Sequence, residues 1–361
     1  MLIRTLHPFP LPSHSMKCTT RVIVSLFLCV IFYYFVFYPA ARKECVANHA
    51  NQSLHKLIHE EAVEKFMMYT PNTLPTHNQT LIVLVVSTAK NQQERNEIRQ
   101  LWASPFSSKA IRNNQARVLF VIGRDESCAD VIQEESYKYG DIIQTTVPET
   151  YSNIVYKLEI AFLWIVTLPN ISMVLKVDGD TLVHIDRFTH QMEFIQKRAP
   201  EDYIGCFYSN HGAPCRDKCS EWYVSEEDYQ HDSFPVYCSG PAYTIPITTL
   251  RKILNVASRI KIVEVEDAFF TGIAIEENSI QRICLDHMIS VQYRSYSECS
   301  TNNEPHLSIL CTHYQFFLSS KSQHSLSAAW DTLQNPRCFN TFTRLWIQSR
   351  ILIHCSLTES I

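Results

Sequence analysis

The sequence is poor in glycine, with 7 among 361 residues, about 2% against a usual ~7%. None of the seven stands in a G-x-G-x-x-G or G-x-x-x-x-G-K-[ST] array, so a glycine-rich phosphate cradle is excluded as the means of holding a nucleotide. An excess of positive charge is also lacking. Lys and Arg number 32 against 36 Asp and Glu, a formal net charge of -4, whereas nucleic-acid binding needs clustered cations that displace counterions. No nucleic-acid partner is therefore expected. Zinc-finger spacing is absent as well, because Cys215-Arg-Asp-Lys-Cys219 is not followed by a second cysteine pair or a histidine pair at finger distance. Internal repeats and low-complexity tracts are missing. With 46% hydrophobic and 19% charged residues, the chain can bury the core of one large or two small domains, which excludes disorder throughout.

What the chain does have begins near its N-terminus. Val22 to Tyr38 is a run of 17 positions without a charge, about 25 Å long as a helix. That suits a thin secretory-pathway bilayer of about 27 Å. Arg4, Lys17 and Arg21 precede it without an acidic residue, while Glu44 accompanies Arg42 and Lys43 after it. The positive-inside rule then makes 1–21 a cytosolic tail, 22–38 a transmembrane signal-anchor and the rest lumenal. A cleaved signal peptide is the alternative, though no small-x-small site follows the run. Three sequons agree with a lumenal chain and mark Asn51, Asn78 and Asn170 as glycosylation candidates. Cysteine usage points the same way: Cys18 and Cys29 lie before or within the anchor and 11 of the 13 lie beyond it, as an oxidising lumen favours. An odd number leaves one thiol free or intermolecular, so a homodimer, disulfide-linked or non-covalent, is an expected assembly.

Residues 39–79 read as a polar stem, with a helix candidate near Leu54 to Tyr69. From 80 to 323 apolar strands alternate with helices. Leu81–Val86, Val118–Ile122 and Met173–Val177 read as strands buried on both faces, and Gln93–Ala103, Ala129–Tyr139, Asn153–Thr167 and Thr248–Ser258 as helices. The alternation predicts an α/β domain with a mostly parallel sheet, whose ligands sit at the carboxyl ends of strands. Residues 324–361, with an apolar end from Leu345 to Cys355, match no pattern and stay unassigned.

Three segments carry candidate chemistry. Asp178-Gly179-Asp180 closes a buried strand, and two hard oxygen ligands on one side suit Mn²⁺ or Mg²⁺ bearing a nucleotide's phosphates; an acidic turn capping the next helix reads equally. Glu264-Val-Glu266-Asp267 enters an aromatic stretch, where desolvation and mutual repulsion raise a carboxyl toward a general base's range. The plain alternative is the solvated first turn of a helix. Tyr237-Cys-Ser-Gly-Pro-Ala-Tyr243 reads as a small-residue loop that lets backbone approach a ligand, or as an ordinary turn.

In order along the chain, these segments resemble the β1,3-glycosyltransferases of glycosyltransferase family 31. Arg95-Asn-Glu-Ile98-Arg99-Gln-Leu-Trp102 is similar to R-x-x-I-R-x-T-W, Tyr151-Ser-Asn153-Ile154 with Lys157 to Y-x-N-L-x-x-K, and Lys176-Val-Asp178-Gly-Asp180 to K-x-D-D-D. Tyr237-Cys-Ser-Gly240 is similar to Y-C-S-G-G-G-Y, and Glu266-Asp267-Ala-Phe-Phe-Thr-Gly272 to E-D-V-Y-x-G. The resemblance spans roughly residues 80 to 315. It implies an α/β, Rossmann-like GT-A glycosyltransferase fold with a nucleotide-sugar half at 80–187 and an acceptor half at 188–323. It also implies a Golgi type II enzyme that transfers a hexose or N-acetylhexosamine from a UDP-sugar, with Mn²⁺ or Mg²⁺, to the 3-hydroxyl of a glycan on glycoprotein or glycolipid.

By that resemblance Asp267 is the catalytic base, and Asp178, Asp180 and His313 hold the metal, with His287 and His306 as rival histidines. Arg95, Arg99, Lys157, Lys176 and Asp178 contact the donor, or form structural ion pairs in the case of the four cations. Ser239, Gly240 and Glu266 belong to the acceptor side. Two departures stand out: Gly179 replaces the middle Asp, and Pro241-Ala242 replaces paired glycines. They motivate an alternative, a catalytically degenerate relative that binds glycans or proteins in the lumen. A metal phosphohydrolase would need more ligands than the sequence places.

Overall fold

The computed structural model describes residues 49–71, 80–209, 212–276, 278, 280–285, 289–291, 310–312 and 330. The expected anchor at 22–38, Asn78, His287, His306, His313 and nearly all of 324–361 lie outside the described residues. Among the described residues no helix is long and apolar enough to cross a membrane.

The sequence of β2 (Thr80–Val86) explains the layers. Its alternate side chains point to opposite faces, and both faces are covered: Ile82 and Leu84 join one apolar cluster, Leu81, Val83 and Val85 another. β3 (Ala116–Arg124), β4 (Ile142–Pro148) and β5 (Ile171–Asp178) complete a parallel block in the order β4-β3-β2-β5. β1 (Met67–Tyr69) adds antiparallel to β4 at the outer edge. Beyond β5 the direction reverses. β8 (Tyr237–Pro246) runs antiparallel to β5, followed by β7 (Tyr203–Ser209) and then β9 (Gln281–Cys284), giving an eight-stranded mixed sheet. A smaller sheet joins β6 (Leu182–Val183), β10 (Ile289–Val291) and β11 (Leu310–Thr312).

Helices cover both faces. α5 (Ile154–Ile165) is buried almost all round and packs with α7 (Ile247–Ala257) on the Ile82 side. α2 (Gln92–Gln100) and α6 (Ile185–Gln196) lie on the Leu81 side, where Ile98 and Trp102 are fully buried. α3 (Lys109–Arg112) leads into β3. α4 (Ala129–Tyr139) spans the expected residues and ends on Gly140 at φ 61°, the left-handed position a helix C-terminus favours. The sheet is thus mixed, with its parallel part where the apolar strands predicted it.

The expected stem is corrected in part. α1 (Gln52–Glu60), capped by the Asn51 side chain accepting from the Leu54 N–H at 2.9 Å, packs Ile58 into the main core. A 3-10 turn at Val63–Phe66 and then β1 follow, so the ordered body reaches back well before residue 80. The expected loop at Tyr237–Tyr243 is corrected too: it is strand, because Ala242 and Tyr243 pair with Val177 and Lys176 of β5. A Cys206–Cys238 disulfide ties β7 to β8 across a sequence separation of 32, which stabilises by roughly 3–4 kcal/mol through loop-closure entropy.

Candidate active site

The carboxyl ends of β2 and β5 lie side by side, Val86 opposite Asp178. Because β8 is antiparallel, its early residue Gly240 reaches the same end of the sheet from the other half of the chain. α8 (Glu266–Ala268) starts there as well, continuing through a π-turn at Phe269–Ile273 into α9 (Ala274–Glu276). Buried Phe269 and Phe270 fix that wide turn, a feature frequent at functional sites. Together these ends enclose a cleft of about 490 Å³ lined by Ser87, Thr88, Glu94, Glu149, Tyr151, Lys157, Asp178, Gly179, Asp180, Gly240, Glu264, Glu266 and Asp267, among others.

Lys176 organises its floor. Asp178 and Lys176 are two apart on β5 and share a face, so the buried ammonium donates to Asp178 Oδ1 at 2.8 Å, to the Gly240 carbonyl at 2.7 Å and to Glu266 Oε1 at 2.5 Å. Burial disfavours its charge, but Asp178 and Glu266 outweigh that and hold the ammonium well above the usual lysine range. Glu266 Oε2 accepts from the Tyr243 hydroxyl at 2.9 Å. Lys157 lines the cleft and donates to Glu149 Oε1 at 2.5 Å and the Ser87 carbonyl at 2.8 Å; burial pulls its pKa down.

The carboxyl of Asp267 is strongly perturbed. Burial first, then the neighbouring Glu266 charge, push its carboxyl from 3.8 up to about 7, against the pull of Lys176 and of the Ala268 N–H that donates to Oδ1 at 2.8 Å. Gly240 makes room for it, since a Cβ there would lie 3.1 Å from Asp267 Oδ2. A carboxyl poised near neutrality can take a proton from a hydroxyl.

The cleft is acidic. Glu94, Glu149, Asp178, Asp180, Glu264, Glu266 and Asp267 line it, against Lys157 on the wall and Lys176 beneath. Such a surface repels a diphosphate unless a hard cation intervenes, and carboxylate oxygens are the donors that Mg²⁺ and Mn²⁺ take. Asp178 and Asp180 therefore fit a divalent cation. A Cβ on Gly179 would stand 2.0 Å from Glu94 Oε1, so a larger residue there requires the end of the Glu94 side chain to move. Glu94, from α2, puts its carboxylate where a side chain at 179 would go.

Two expected donor contacts are corrected. Arg95 is fully buried; it donates to Glu135 at 2.8 and 2.7 Å, to Ser87 Oγ at 3.2 Å and to the carbonyls of Thr88 and Ala89 at 2.5 and 3.3 Å. Arg99 donates to both Asp141 oxygens at 2.8 Å and stacks on Tyr139, its guanidinium carbon 4.0 Å from the ring centroid. Neither lines the cleft. Ser239 sits on β8 but outside the lining, whereas Gly240, Glu266, Lys157, Asp178 and Asp180 are brought together as expected, with Lys176 just below. Asn51 and Asn170 are both exposed, Asn170 at φ 64° in the turn into β5. Cys219 is disulfide-bonded and Cys215 is a free thiol, so that pair is no zinc site.

Sequence reasoning missed Glu94 and Glu149 as cleft residues. It also missed Trp222, exposed at 53%, which meets the ring of Tyr151 edge-on at 6.3 Å beside the cleft.

Against known proteins, this chain is similar to Beta-1,3-galactosyltransferase 5 of Homo sapiens, 28% identical over 204 residues, covering 56% of this chain and 64% of that one. It is also similar to Beta-1,3-galactosyltransferase bre-2 of Caenorhabditis elegans, 26% identical over 285 residues, 75% of this chain and 74% of the relative. The chain thus spans just under two thirds of the length of the human relative. Mouse xyloside xylosyltransferase 1 aligns over 66% of this chain and 98% of its own at 8% identity, with a TM-score of 0.32, too low to establish a shared fold. The Galactosyltransferase family model matches residues 93–286, more than half of the sequence, and contains the β5 end, the β8 end and Asp267: the chain belongs to the galactosyltransferase family.

Proposed function

We propose that the protein is an inverting β1,3-glycosyltransferase of the GT-A type, which moves a hexose or N-acetylhexosamine from a UDP-sugar to the 3-hydroxyl of a glycan on glycoprotein or glycolipid. Family membership and the β1,3-galactosyltransferase relatives support the reaction class. The observation that carries the reading is Asp267, a carboxyl raised to about 7 inside an acidic cleft that Asp178 and Asp180 also line.

Asp267 takes the proton of the acceptor hydroxyl as its oxygen attacks the anomeric carbon. The bond from that carbon to the diphosphate oxygen breaks, the electron pair leaving with UDP, and configuration inverts in one displacement. A Mn²⁺ or Mg²⁺ held by Asp178 and Asp180, with His313 as an expected further ligand, would neutralise charge on the leaving diphosphate. Lys176 keeps Glu266 and Asp178 apart in charge and fixes the β5 end against α8. Trp222 and Tyr151 offer exposed aromatic faces at the mouth, suited to the apolar face of an acceptor sugar. Residues 22–38 would anchor the protein as a type II chain in the Golgi membrane.

Support for activity, as against a degenerate binding relative, comes from Glu94, whose carboxyl oxygen occupies the place beside Gly179 where a side chain at that position would start. Turnover of UDP-galactose, UDP-N-acetylglucosamine and UDP-N-acetylgalactosamine should be assayed with Mn²⁺ for the native chain and for Asp267→Asn. A drop of about 10²- to 10⁴-fold with UDP binding retained is expected. Equal turnover by the variant would remove Asp267 from the role of base.

A further inference from the structure

Away from the cleft, on the outer side of α5, two histidines and a glutamate converge. His55 and His59 lie one turn apart on α1, so both rings leave the same face of the helix. Glu159 of α5, fully buried, stands between them: its Oε2 is 2.9 Å from His55 Nδ1 and its Oε1 is 2.9 Å from His59 Nε2. One ligand atom from each of the three residues lies within 4.8 Å of the others.

We propose that His55, His59 and Glu159 form a structural zinc site that fastens α1 to the body of the fold. The second nitrogen of His55 supports it. His55 Nε2 is 2.9 Å from the Ala257 carbonyl at the end of α7, which can only accept, so Nε2 carries a proton and Nδ1 is the atom turned to the carboxylate. A ring that donates one N–H to a backbone carbonyl and offers its other nitrogen is the arrangement that orients a metal-bound histidine. Two imidazoles and one carboxylate are a zinc donor set, whereas Mg²⁺ and Ca²⁺ take oxygens. Apolar surroundings add a reason: His55 is 4% exposed, and a buried carboxylate needs a positive charge beside it. The ion supplies that charge without requiring either ring to take a second proton and become an imidazolium.

The site has a mechanical consequence. The His55 ring meets Phe269 edge-on at 5.9 Å, and Phe269 begins the π-turn two residues after Asp267. A metal that fixes His55 thereby buttresses the turn from behind, while taking no part in the chemistry.

The test uses the full chain, purified in detergent and stripped with a chelator, then titrated with Co²⁺ and with Zn²⁺. Co²⁺ should give visible d–d absorption that one equivalent of Zn²⁺ abolishes, and saturating Zn²⁺ should raise the melting temperature by ~5–10 °C at a hundredfold excess over Kd. His59→Gln should weaken binding at least tenfold. His59→Cys keeps three ligands and should add a thiolate-to-cobalt charge-transfer band, which reads the site directly if the Gln variant folds poorly. Asp180→Ala should leave all of these signals in place, separating this site from any cation in the cleft. Spectra and melting unchanged by either metal, or identical for native protein and the His59 variants, would overturn the proposal.

Discussion

Arg95→Met separates a donor-binding residue from a scaffold residue, because the two roles move different observables. The guanidinium is fully buried, forms two bonds to Glu135 and holds the carbonyls of Thr88 and Ala89 behind the cleft wall. Removing one partner of a buried ion pair costs about 3–5 kcal/mol, mostly from the charge left behind. Here the lower part of that range applies, since Arg99 Nη1 stays 2.7 Å from Glu135 Oε1 and keeps the carboxylate paired. The two abandoned carbonyls add up to about 1 kcal/mol between them, because water can reach the loop at Thr88. The total is about 3–4 kcal/mol, or roughly 6–16 °C in melting temperature for a domain of this size.

Differential scanning fluorimetry reads that shift, and steady-state kinetics should show a donor KM changed only a few-fold. Arg95→Met combined with Glu135→Leu should melt higher than Arg95→Met alone, as both charges are then gone and Arg99 retains Asp141. A single variant that melts within 1 °C of the native protein while its donor KM rises tenfold would refute the argument and return Arg95 to the substrate.

Three further outcomes follow from the cleft. With Asp267 raised to about 7 and active only as the carboxylate, kcat/KM should climb tenfold per pH unit below about 7 and level off above it; a flat profile from pH 5 to 8 would contradict a titrating base. Gly179→Asp should weaken cation-dependent UDP binding measured by calorimetry, because its Cβ meets Glu94 Oε1, and Glu94→Ala in the same chain should restore it; an innocuous single variant would show that Glu94 moves freely. Trp222→Ala should raise the acceptor KM by ~5- to 150-fold, on the ~1–3 kcal/mol of burying or stacking a large ring, with donor KM unchanged.

The parallel block was legible because β2, β3 and β5 are dominated by apolar residues, broken by Arg117 in β3 and by Ser172 and Lys176 in β5, as befits strands covered on both faces. β4 was not. It carries Gln144 and Thr145 inside the fold, each satisfied by a carbonyl of β3, at Gly123 and Ile122, so polarity there conceals burial rather than marking surface. The acid pair at Asp178 and Asp180 and the raised carboxyl of Asp267 could be read from strand ends and an aromatic neighbourhood. The fate of Arg95 and Arg99 could not, since Glu135 lies 40 residues from Arg95 and only packing shows that it meets them. His55 and His59 had a visible i, i+4 spacing, but their partner Glu159 is hidden in the most apolar helix among the described residues.

The excursion between β7 and β8 is built apart from the elements that hold the cleft floor. It is shut off at its base by the Cys206–Cys238 disulfide and braced inside by Arg216, which donates to the carbonyls of Val224, Tyr229 and His231 at 2.8, 2.7 and 3.1 Å. Trp222 rides on this excursion, which packs Val224 and Phe234 into the main core, while Lys176, Asp178 and Asp267 are held by other elements. A substitution at Trp222 therefore leaves the hydrogen bonds that place Lys176, Asp178 and Glu266 untouched.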